Sequence, residues 1–294
     1  MTDAQLQWTR ASLMAKATDR LLSGNIGDAR RNVEWILCEL LKCNRASLYA
    51  YPESLVKKEI ADPFWALINR RLEHEPLQYI LGYTEFCGLK FSVTPAVLIP
   101  RPETEVLIGL ANDYLKNKKQ PTVLDIGSGS GCIPVAIKHF NPDASVFSCD
   151  ISEDALAVAR QNANDHKAEV NFFQHDILSE TLPLPASLSI DLIVSNPPYI
   201  PEEEYHGLEK EVLNFEPGLA LSSGPDPLLF YKAISKVAAH RMATDGTLLL
   251  ETHCDYASDV AQLVAEDGFS DAQVHKDLAD RDRFVTATWH PAEA

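Results

Sequence analysis

The sequence predicts an α/β fold in which a mostly parallel sheet carries helices on both faces, preceded by a small helical bundle. From Pro121 onward, short apolar segments alternate with helical patterns, and parallel strands need such crossovers to connect them. Residues 4–73 instead carry apolar side chains at helical spacing, with Gly24 and Gly27 as breaks. Between the two regions, the segment around Gly88 indicates a short β-hairpin.

The N-terminal region is predicted to contain three amphipathic helical stretches. Leu13, Ala17 and Leu21 belong to the first, Val33 to Leu41 spans the second, and the third runs from about Pro63 to Arg71. The hairpin is marked by apolar residues at Phe86, Leu89, Phe91 and Val93. We therefore place a helical domain at residues 1–81, a hairpin connector at 82–100 and the α/β domain at 101–294.

Six apolar segments of the α/β domain are its candidate strands. The last of them, Phe284–Trp289, directly follows a charged stretch that is too short for a crossover helix, so this strand is predicted to pair antiparallel. Helices are predicted from Cys132, from Glu153, and near residues 228–241 and 256–265. The six segments read TVLDI, ASVFSC, AEVNFF, SIDLIVS, GTLLLE and RFVTATW.

Composition and charge limit the class of protein. With 294 residues, 46% of them hydrophobic, the chain can bury a large core. No apolar run approaches the roughly 20 residues of a membrane span, and no signal peptide is recognisable, so a cytoplasmic protein is expected. The net charge is -16, and residues 91–294 hold 31 acidic against 14 basic side chains. Such a surface repels a phosphate backbone, so direct DNA binding is not expected.

The six cysteines show no pattern of a functional site. They lack a C-x-x-C pair and any His/Cys cluster at zinc-finger spacing, so we expect buried, reduced thiols and predict no metal. They are Cys38, Cys43, Cys87, Cys132, Cys149 and Cys254.

A glycine-rich turn joins the first predicted strand to its helix. Its spacing is G-x-G-x-G; a nicotinamide fingerprint would need glycine where Cys132 stands, and the Gly-Lys-Ser/Thr ending of a P-loop is absent. Asp125 before the turn suits the cationic ammonium and sulfonium of S-adenosylmethionine better than a diphosphate. The predicted cofactor residues here are Asp125, Gly127, Ser128, Gly129, Ser130 and Gly131.

Two further acidic residues follow successive strands and extend this cofactor prediction. Asp150 ends the second strand, where a carboxylate can accept hydrogen bonds from both ribose hydroxyls; its alternative role, a helix N-cap, is equally available to Ser152. Asp176 follows the third strand and is predicted to meet the adenine amino group, with Ile177 against the ring. The alternative for Asp176 is an ordinary turn residue.

The segment Ser195-Asn196-Pro197-Pro198-Tyr199 follows a strongly apolar strand and is the predicted acceptor site. Consecutive prolines stiffen the backbone, so the Asn196 side-chain oxygen and the Pro197 carbonyl can accept both hydrogens of a planar NH2 group. Asn196 is also expected to touch the cofactor, while Pro198 and Tyr199 complete the acceptor pocket and Tyr199 stacks on the amide. The alternative is a rigid loop with a buried asparagine. Attack by an amide nitrogen needs no prior deprotonation, so no catalytic histidine is assigned.

Over nearly its whole length the chain resembles the peptide chain release factor N5-glutamine methyltransferases. The resemblance implies a class I, Rossmann-like methyltransferase with a mostly parallel seven-stranded sheet, and a helical domain that grips class I release factors. It also implies transfer to the glutamine of a Gly-Gly-Gln loop. The stretches that carry it are Glu75–Gly82, Leu98–Glu105, the glycine turn, Ser195–Ile200, Lys276–Leu278 and Arg281–Arg283.

The Leu98–Glu105 stretch implies three residues of the pocket wall, namely Arg101, Glu103 and Glu105. Their alternative role is to cap a helix predicted at Glu103–Asn117. Two runs depart from the family pattern: Ser223–Leu228 replaces Gly-Gly-x-Asp-Gly-Leu, and Leu250–His253 replaces Leu-Glu-Ile-Gly. Both are expected to lie away from the transfer site.

Three competing functions stay open at this point. A ribosomal-protein glutamine methyltransferase would share the acceptor chemistry, and an adenine-N6 DNA methyltransferase would flip a base into the same pocket but needs a basic groove. A cofactor-binding scaffold without turnover would not need Asn196 and Pro197. By analogy with the family, we expect a monomer.

Overall fold

The computed structural model describes residues 7–179 and 182–291, and these form two compact units. One unit runs to Gly82 and also takes in Lys210–Phe215, while the other holds Tyr83–Glu209 and the chain from Glu216 onward. Residues 4–6 of the predicted helical region lie outside the described residues. Among the helices that are described, none has the length and apolar character needed to cross a membrane.

The helices and strands of the described residues follow in chain order. The α-helices are α1 (Arg10–Ser23), α2 (Ala29–Leu41), α3 (Arg45–Ala50), α4 (Lys58–Leu72), α5 (Leu77–Leu81), α6 (Thr104–Leu115), α7 (Cys132–Phe140), α8 (Glu153–Asp165), α9 (Glu202–Tyr205), α10 (Lys210–Phe215), α11 (Leu229–Arg241) and α12 (Ala257–Glu266). The strands are β1 (Trp8–Thr9), β2 (Leu55–Val56), β3 (Tyr83–Phe86), β4 (Leu89–Ser92), β5 (Thr122–Ile126), β6 (Ser145–Asp150), β7 (Val170–Gln174), β8 (Ile190–Ser195), β9 (Ile200–Pro201), β10 (Ser222–Gly224), β11 (Met242–Glu251), β12 (Phe269–Lys276) and β13 (Asp282–Trp289).

The helical unit buries the apolar face of each long helix in one core. The helix α4 begins five residues before Pro63, where its start was predicted, and keeps the proline inside. Proline removes one backbone hydrogen bond, but the buried side chains of Ala61, Phe64 and Ile68 lie on one face, and their burial outweighs that loss. The core includes Leu13, Ala17, Leu21, Val33, Ile36, Leu37, Phe64 and Ile68.

A buried arginine ties α10 into the helical unit. The Arg71 side chain is only 4% exposed; its Nε donates to Asn32 Oδ1 at 2.7 Å and its Nη1 donates to the Glu75 carbonyl at 3.0 Å. Its Nη2 forms an ion pair with Glu211 of α10. A guanidinium at this depth requires such partners. No helix was predicted at Lys210–Phe215.

The α/β unit is built on a seven-stranded sheet in the order β12-β13-β11-β8-β5-β6-β7. Every adjacent pair from β11 through β8, β5 and β6 to β7 is parallel, while β13 runs antiparallel to both β11 and β12. This confirms the predicted mostly parallel sheet and its antiparallel last strand. The strand β12 was not among the six candidate segments, because alternate residues along it are exposed and its apolar pattern is weak.

Both faces of this sheet are buried because successive residues of each central strand point to opposite sides. Val123 and Leu192 belong to one core cluster, whereas the next residues, Leu124 and Ile193, belong to another. Strand order reverses between β5 and β8, and at such a point the carboxyl ends of the strands leave a crevice for ligands.

The predicted hairpin is present as β3 and β4, paired from Tyr83 with Ser92 to Phe86 with Leu89. Its two turn residues, Cys87 and Gly88, both have positive φ, at 51° and 74°. Two such residues between paired strands give the tight turn that matches strand twist. The turn therefore lies at Gly88, as predicted.

Candidate active site

The glycine turn after β5 has a backbone shape that requires glycine. Gly127, Gly129 and Gly131 have φ of 90°, 52° and 80°, which side chains with a Cβ rarely adopt. The amides of Gly127 and Ser128 both donate to the Cys149 carbonyl, at 2.8 and 2.9 Å, and so fasten the turn to β6. A Cβ on Gly131 would lie 3.0 Å from the Ala159 Cα, so the turn lies directly against α8.

A cavity of about 300 Å³ opens at this edge of the sheet, within the α/β unit. Ends of four strands and the segment before α6 contribute to its wall. Of the predicted site residues, the wall contains Arg101, Gly127, Ser128, Gly129, Ser130, Asp150, Asp176, Ile177, Asn196, Pro197 and Pro198. The predicted residues that it does not contain are Glu103, Glu105, Asp125, Gly131 and Tyr199.

Asp150 links the glycine turn to the segment that begins α8. Its Oδ2 accepts from the Gly129 amide at 2.8 Å, and its Oδ1 accepts from the Ser152 amide at 2.9 Å. Burial raises the pKa of Asp150, while these amide donors oppose the rise. Each carboxylate oxygen can accept a further hydrogen bond, so the group can also serve a ligand. The helix cap is provided separately by Ser152, whose hydroxyl accepts from Ala155.

Asp176 and Ile177 lie in the cavity wall after β7. The Asp176 side chain is exposed, and its Oδ1 accepts from the Leu178 amide at 2.9 Å, as in an ordinary Asx turn. The preceding residue, His175, also lines the cavity, and its buried Nε2 has no partner among the described residues. Burial lowers the pKa of His175, which favours the neutral ring, while the nearby Asp176 charge opposes this shift. Sequence reasoning missed His175, although its place beside Asp176 was a signal.

Asp125 lies behind the glycine turn and is fully buried. Its Oδ2 accepts from the Ser148 hydroxyl at 2.6 Å, and Ser148 stands opposite it in the register of β5 and β6. The Ser148 hydroxyl lies 2.5 Å from that of Ser128, which lines the cavity. Asp125 Oδ1 has no partner among the described residues, and burial raises its pKa to about 7. Its predicted contact with the cofactor stays a prediction, because it reaches the cavity only through two serines.

The acceptor segment is anchored at the end of β8. The Ser195 hydroxyl donates to the Ile126 carbonyl at 2.6 Å, which joins β8 to β5 beneath the cavity. Asn196 Nδ2 donates to Thr104 Oγ1 at 3.3 Å. Pro197 is buried and Pro198 half-buried, and both contribute to the wall. The segment therefore presents a side-chain amide and a stiff backbone at the crevice.

Tyr199 lies outside the cavity wall, beside the end of β11. Its hydroxyl donates to Glu251 Oε1 at 3.4 Å, and burial raises its pKa. The Arg283 guanidinium lies 5.9 Å from its ring centre, and the His253 ring lies 6.2 Å away. A stacking role for Tyr199 on the acceptor stays a prediction.

The expectation that both departures from the family pattern lie away from the transfer site is wrong for Leu250–His253, whereas for Ser223–Leu228, which contributes no residue to the cavity wall, it stays a prediction. In the sheet register, Leu250 stands opposite Ser195, so the residues after each strand end meet, and Glu251 contacts Tyr199. The other run begins within β10, which pairs with β9 directly after Tyr199. Adjacent parallel strands bring their carboxyl ends together, and sequence distance concealed this.

Arg101, Glu103 and Glu105 have different surroundings. Arg101 lines the cavity, and its Nη2 donates to Glu216 Oε1 at 2.6 Å. Glu103 precedes α6 and lies 3.7 Å from Arg281, whereas Glu105 accepts from the Cys87 amide of the hairpin turn at 2.8 Å. Both glutamates lie at the start of α6, but Glu103 makes no side-chain cap hydrogen bond there, so the capping role and the substrate contacts both stay predictions. The helix itself is shorter than predicted and ends at Leu115.

All six cysteines are free thiols, which confirms that part of the expectation. Only Cys132 and Cys149 are buried, and the other four are half-buried. Desolvation raises the pKa of Cys132 to about 12. This thiol stays protonated at neutral pH and packs as an apolar side chain.

The doubly wound sheet with its antiparallel β13, the glycine turn after β5 and the Asn-Pro-Pro-Tyr segment after β8 define a class I methyltransferase dependent on S-adenosylmethionine. Residues 6–82 match the family described as PrmC N-terminal domain, and residues 104–213 match the methyltransferase small domain. The chain is 39% identical to a release factor glutamine methyltransferase of Geobacter sulfurreducens, over 95% of this chain and 94% of that protein. It is 38% identical to one of Bacteroides thetaiotaomicron, over 86% and 90%. The chain therefore belongs to the release factor glutamine methyltransferase family.

Two solved structures are also similar. The protein-(glutamine-N5) methyltransferase (release factor-specific) of Alicyclobacillus acidocaldarius is 30% identical, with a TM-score of 0.42 over 68% of this chain and 100% of that one. The hMettl16 catalytic domain, solved with an RNA hairpin, is 15% identical, with a TM-score of 0.54 over 82% and 86%. The second likeness shows the shared fold alone.

Proposed function

We propose that this protein transfers a methyl group from S-adenosylmethionine to the side-chain N5 of the glutamine in the Gly-Gly-Gln loop of class I release factors, and so supports translation termination. The observation that carries the proposal is the joint placement of Asn196 and the Gly127–Gly131 turn at one cavity. Membership of the family supports the choice of substrate.

The cavity residues fit the cofactor, whose bound form supplies an electrophilic methyl group. Two buried polar atoms of the wall, Ser130 Oγ and His175 Nε2, have no partner among the described residues, and such atoms call for a polar ligand. Asp150 would hold the ribose, and Asp176 with Ile177 would hold the adenine. Gly127 and Gly129, which line the cavity, would let the ligand approach the backbone, as glycine permits.

Asn196 and Pro197 would perform the recognition of the acceptor. Their two carbonyl oxygens would accept both hydrogens of the glutamine amide, leaving the nitrogen lone pair free to form the new N–C bond as the S–C bond breaks. The same oxygens would stabilise the positive charge that develops on nitrogen. The nitrogen then loses a proton to solvent, so the transfer needs no general base before attack. Arg101, held by Glu216, would shape the neighbouring wall.

The test is transfer from tritiated S-adenosylmethionine to four separate acceptors. These are an unmethylated release factor, its Gly-Gly-Gln→Gly-Gly-Ala variant, ribosomal protein and unmethylated DNA. Label on the intact release factor alone supports the proposal. Label on ribosomal protein or DNA would keep the chemistry and replace the substrate, and no label on any acceptor would favour a binding protein without turnover.

Two variants separate the proposed roles. Asn196→Ala should abolish transfer with little change in cofactor Kd, whereas Asp150→Ala should first weaken cofactor binding. Matched controls are Asn164→Ala and Asp143→Ala, since both side chains are exposed and lie outside the cavity wall. Equal loss of cofactor affinity in Asn196→Ala and Asp150→Ala would contradict this division.

The remaining parts of the proposal concern the protein's setting. It would act as a monomer in the cytoplasm, without binding DNA directly, and the helical unit would grip the release factor. Sedimentation at assay concentration tests the first point. Release-factor binding by the chain with and without substitutions at exposed residues of α1 to α4 tests the last.

A further inference from the structure

The orientation of the Asn196 amide decides whether it offers an oxygen or an NH2 group to the acceptor. The two ends of an amide have nearly the same shape, so a neighbour must distinguish them by hydrogen bonding. That neighbour is Thr104 at the start of α6, which is 2% exposed and accepts from Asn196 Nδ2 at 3.3 Å. The Asn196 oxygen is then the end that does not face Thr104.

Thr104 can accept from Asn196 only while its own proton is committed elsewhere. A hydroxyl has one proton, and Thr104 donates it to Glu251 Oε2 at 2.7 Å. Glu251 ends β11 and is 1% exposed. Its other oxygen, Oε1, accepts from Tyr199 at 3.4 Å. One buried carboxylate therefore contacts two elements of the acceptor site.

We propose that Thr104 and Glu251 are positioning residues for methyl transfer: ionised Glu251 commits the Thr104 proton, Thr104 accepts from Asn196 Nδ2, and Asn196 Oδ1 is directed to the acceptor nitrogen. The inference rests on the proposed function, and it deepens the role of the same site. Neither Thr104 nor Glu251 touches the reacting atoms in this arrangement.

The charge state of Glu251 depends on groups from several elements. Burial raises its pKa to about 7, while Thr104 of α6, Tyr199 and Arg283 of β13 oppose the rise, and Glu103 adds to it. Tyr231 of α11 donates to its backbone carbonyl rather than to the carboxylate. Protonated Glu251 would donate a hydrogen bond to the Thr104 hydroxyl oxygen. The Thr104 proton would then be free to donate to the Asn196 side-chain oxygen. The transfer rate should therefore fall as the pH falls below about 7.

The first experiment compares Thr104→Val with Thr104→Ser in single-turnover methylation of the release factor at pH 8. Valine lacks the hydroxyl, so the rate should fall on the order of tenfold to a hundredfold, as for a misplaced reacting group. Serine should retain most of the rate, and cofactor Kd should stay within about twofold in both. Thr288→Val is the control, since Thr288 lies on β13 away from the cavity. A wild-type rate for Thr104→Val, equal loss in Thr104→Ser, or a matching loss of cofactor affinity would overturn the proposal.

The second experiment is the pH dependence of the single-turnover rate. Between pH 6 and pH 8 the ionised fraction of a group with its pKa near 7 rises about tenfold, and the wild-type rate should follow it. Glu251→Gln cannot ionise, so its rate should change less than about twofold over the same range. A tenfold rise that persists in Glu251→Gln would refute the assigned role.

A measurement without turnover keeps this inference separate from the proposed function. In protein labelled with 15N-asparagine, the Asn196 side-chain amide signal, identified by its loss in Asn196→Ala, should shift with pH near 7. The shift should vanish in Glu251→Gln and in Thr104→Val. If the release factor is not methylated but this titration is present, the proposed function fails and the positioning stands. A wild-type signal that does not titrate, or one that titrates unchanged in both variants, overturns the positioning.

Discussion

The substitutions Gly131→Ala and Gly129→Ala should separate the packing of the glycine turn from its contact with ligand. Both residues have positive φ, so each alanine carries a strain of about 1–2 kcal/mol. At Gly131 the new Cβ would also lie 3.0 Å from both the Cα and Cβ of Ala159, which belong to a packed helix. Overpacking of this kind costs about 1–3 kcal/mol more. At Gly129 no atom lies within 4 Å of the added Cβ.

We therefore expect Gly131→Ala to lower the free energy of unfolding by about 2–5 kcal/mol and Gly129→Ala by about 1–2 kcal/mol. Gly129 lines the cavity and donates to Asp150, whereas Gly131 does not line it. Gly129→Ala should for this reason weaken cofactor binding directly, so that the loss of affinity is larger than the destabilisation alone would cause. Urea unfolding followed by circular dichroism gives the free energy of unfolding, provided that the m-values of the variants are equal. Calorimetric titration gives the cofactor Kd. Equal destabilisation by the two variants would refute the packing argument.

Two other substitutions test the buried polar groups. Folding raises the pKa of Asp125 to about 7, above its unfolded value, so its contribution to stability is present at low pH and is lost as the pH rises from about 4 to 7. Between pH 4 and pH 8 the free energy of unfolding of the wild type should fall by up to about 4 kcal/mol more than that of Asp125→Asn. Urea titrations at each pH measure both values, and the same pH dependence in the two proteins would contradict this. In the helical unit, Arg71→Met leaves Asn32 and Glu211 without their partner and should destabilise the unit by about 2 kcal/mol. Amide hydrogens of α10 should then exchange faster, and unchanged exchange would show that the arginine does not hold this helix.

The fold was largely predictable because its signals are local. Apolar strands, glycine turns and helix starts each depend on a few consecutive residues, and the strands from Thr122 to Ser195 were located within two residues. The strand β12 was missed because its half-exposed face carries few apolar residues. The α10 helix could not be assigned to the helical unit, since its attachment to Arg71 spans 140 residues.

The cavity was predictable to the extent that motifs carry it. Gly127, Gly129 and Asn196 to Pro198 lie in the wall because they follow strand ends. Asp125 does not, because it lies within β5, where alternation turns its side chain toward Ser148. The Thr104–Glu251 pair joins residues 147 apart, and only the packing of α6 against β11 brings them together.

The irregular strand β12 affects how the folded protein behaves at high concentration. As an outer strand of the sheet it exposes backbone groups that could pair with another molecule. Its register shifts between Ser270 and Gln273, where Asp271 has a φ of 51°, and it ends on the exposed Lys276. An edge strand that is kinked and ends on a charged side chain pairs poorly with a strand of another molecule. The irregularity that made β12 difficult to recognise in the sequence therefore also disfavours ordered aggregation through this edge strand.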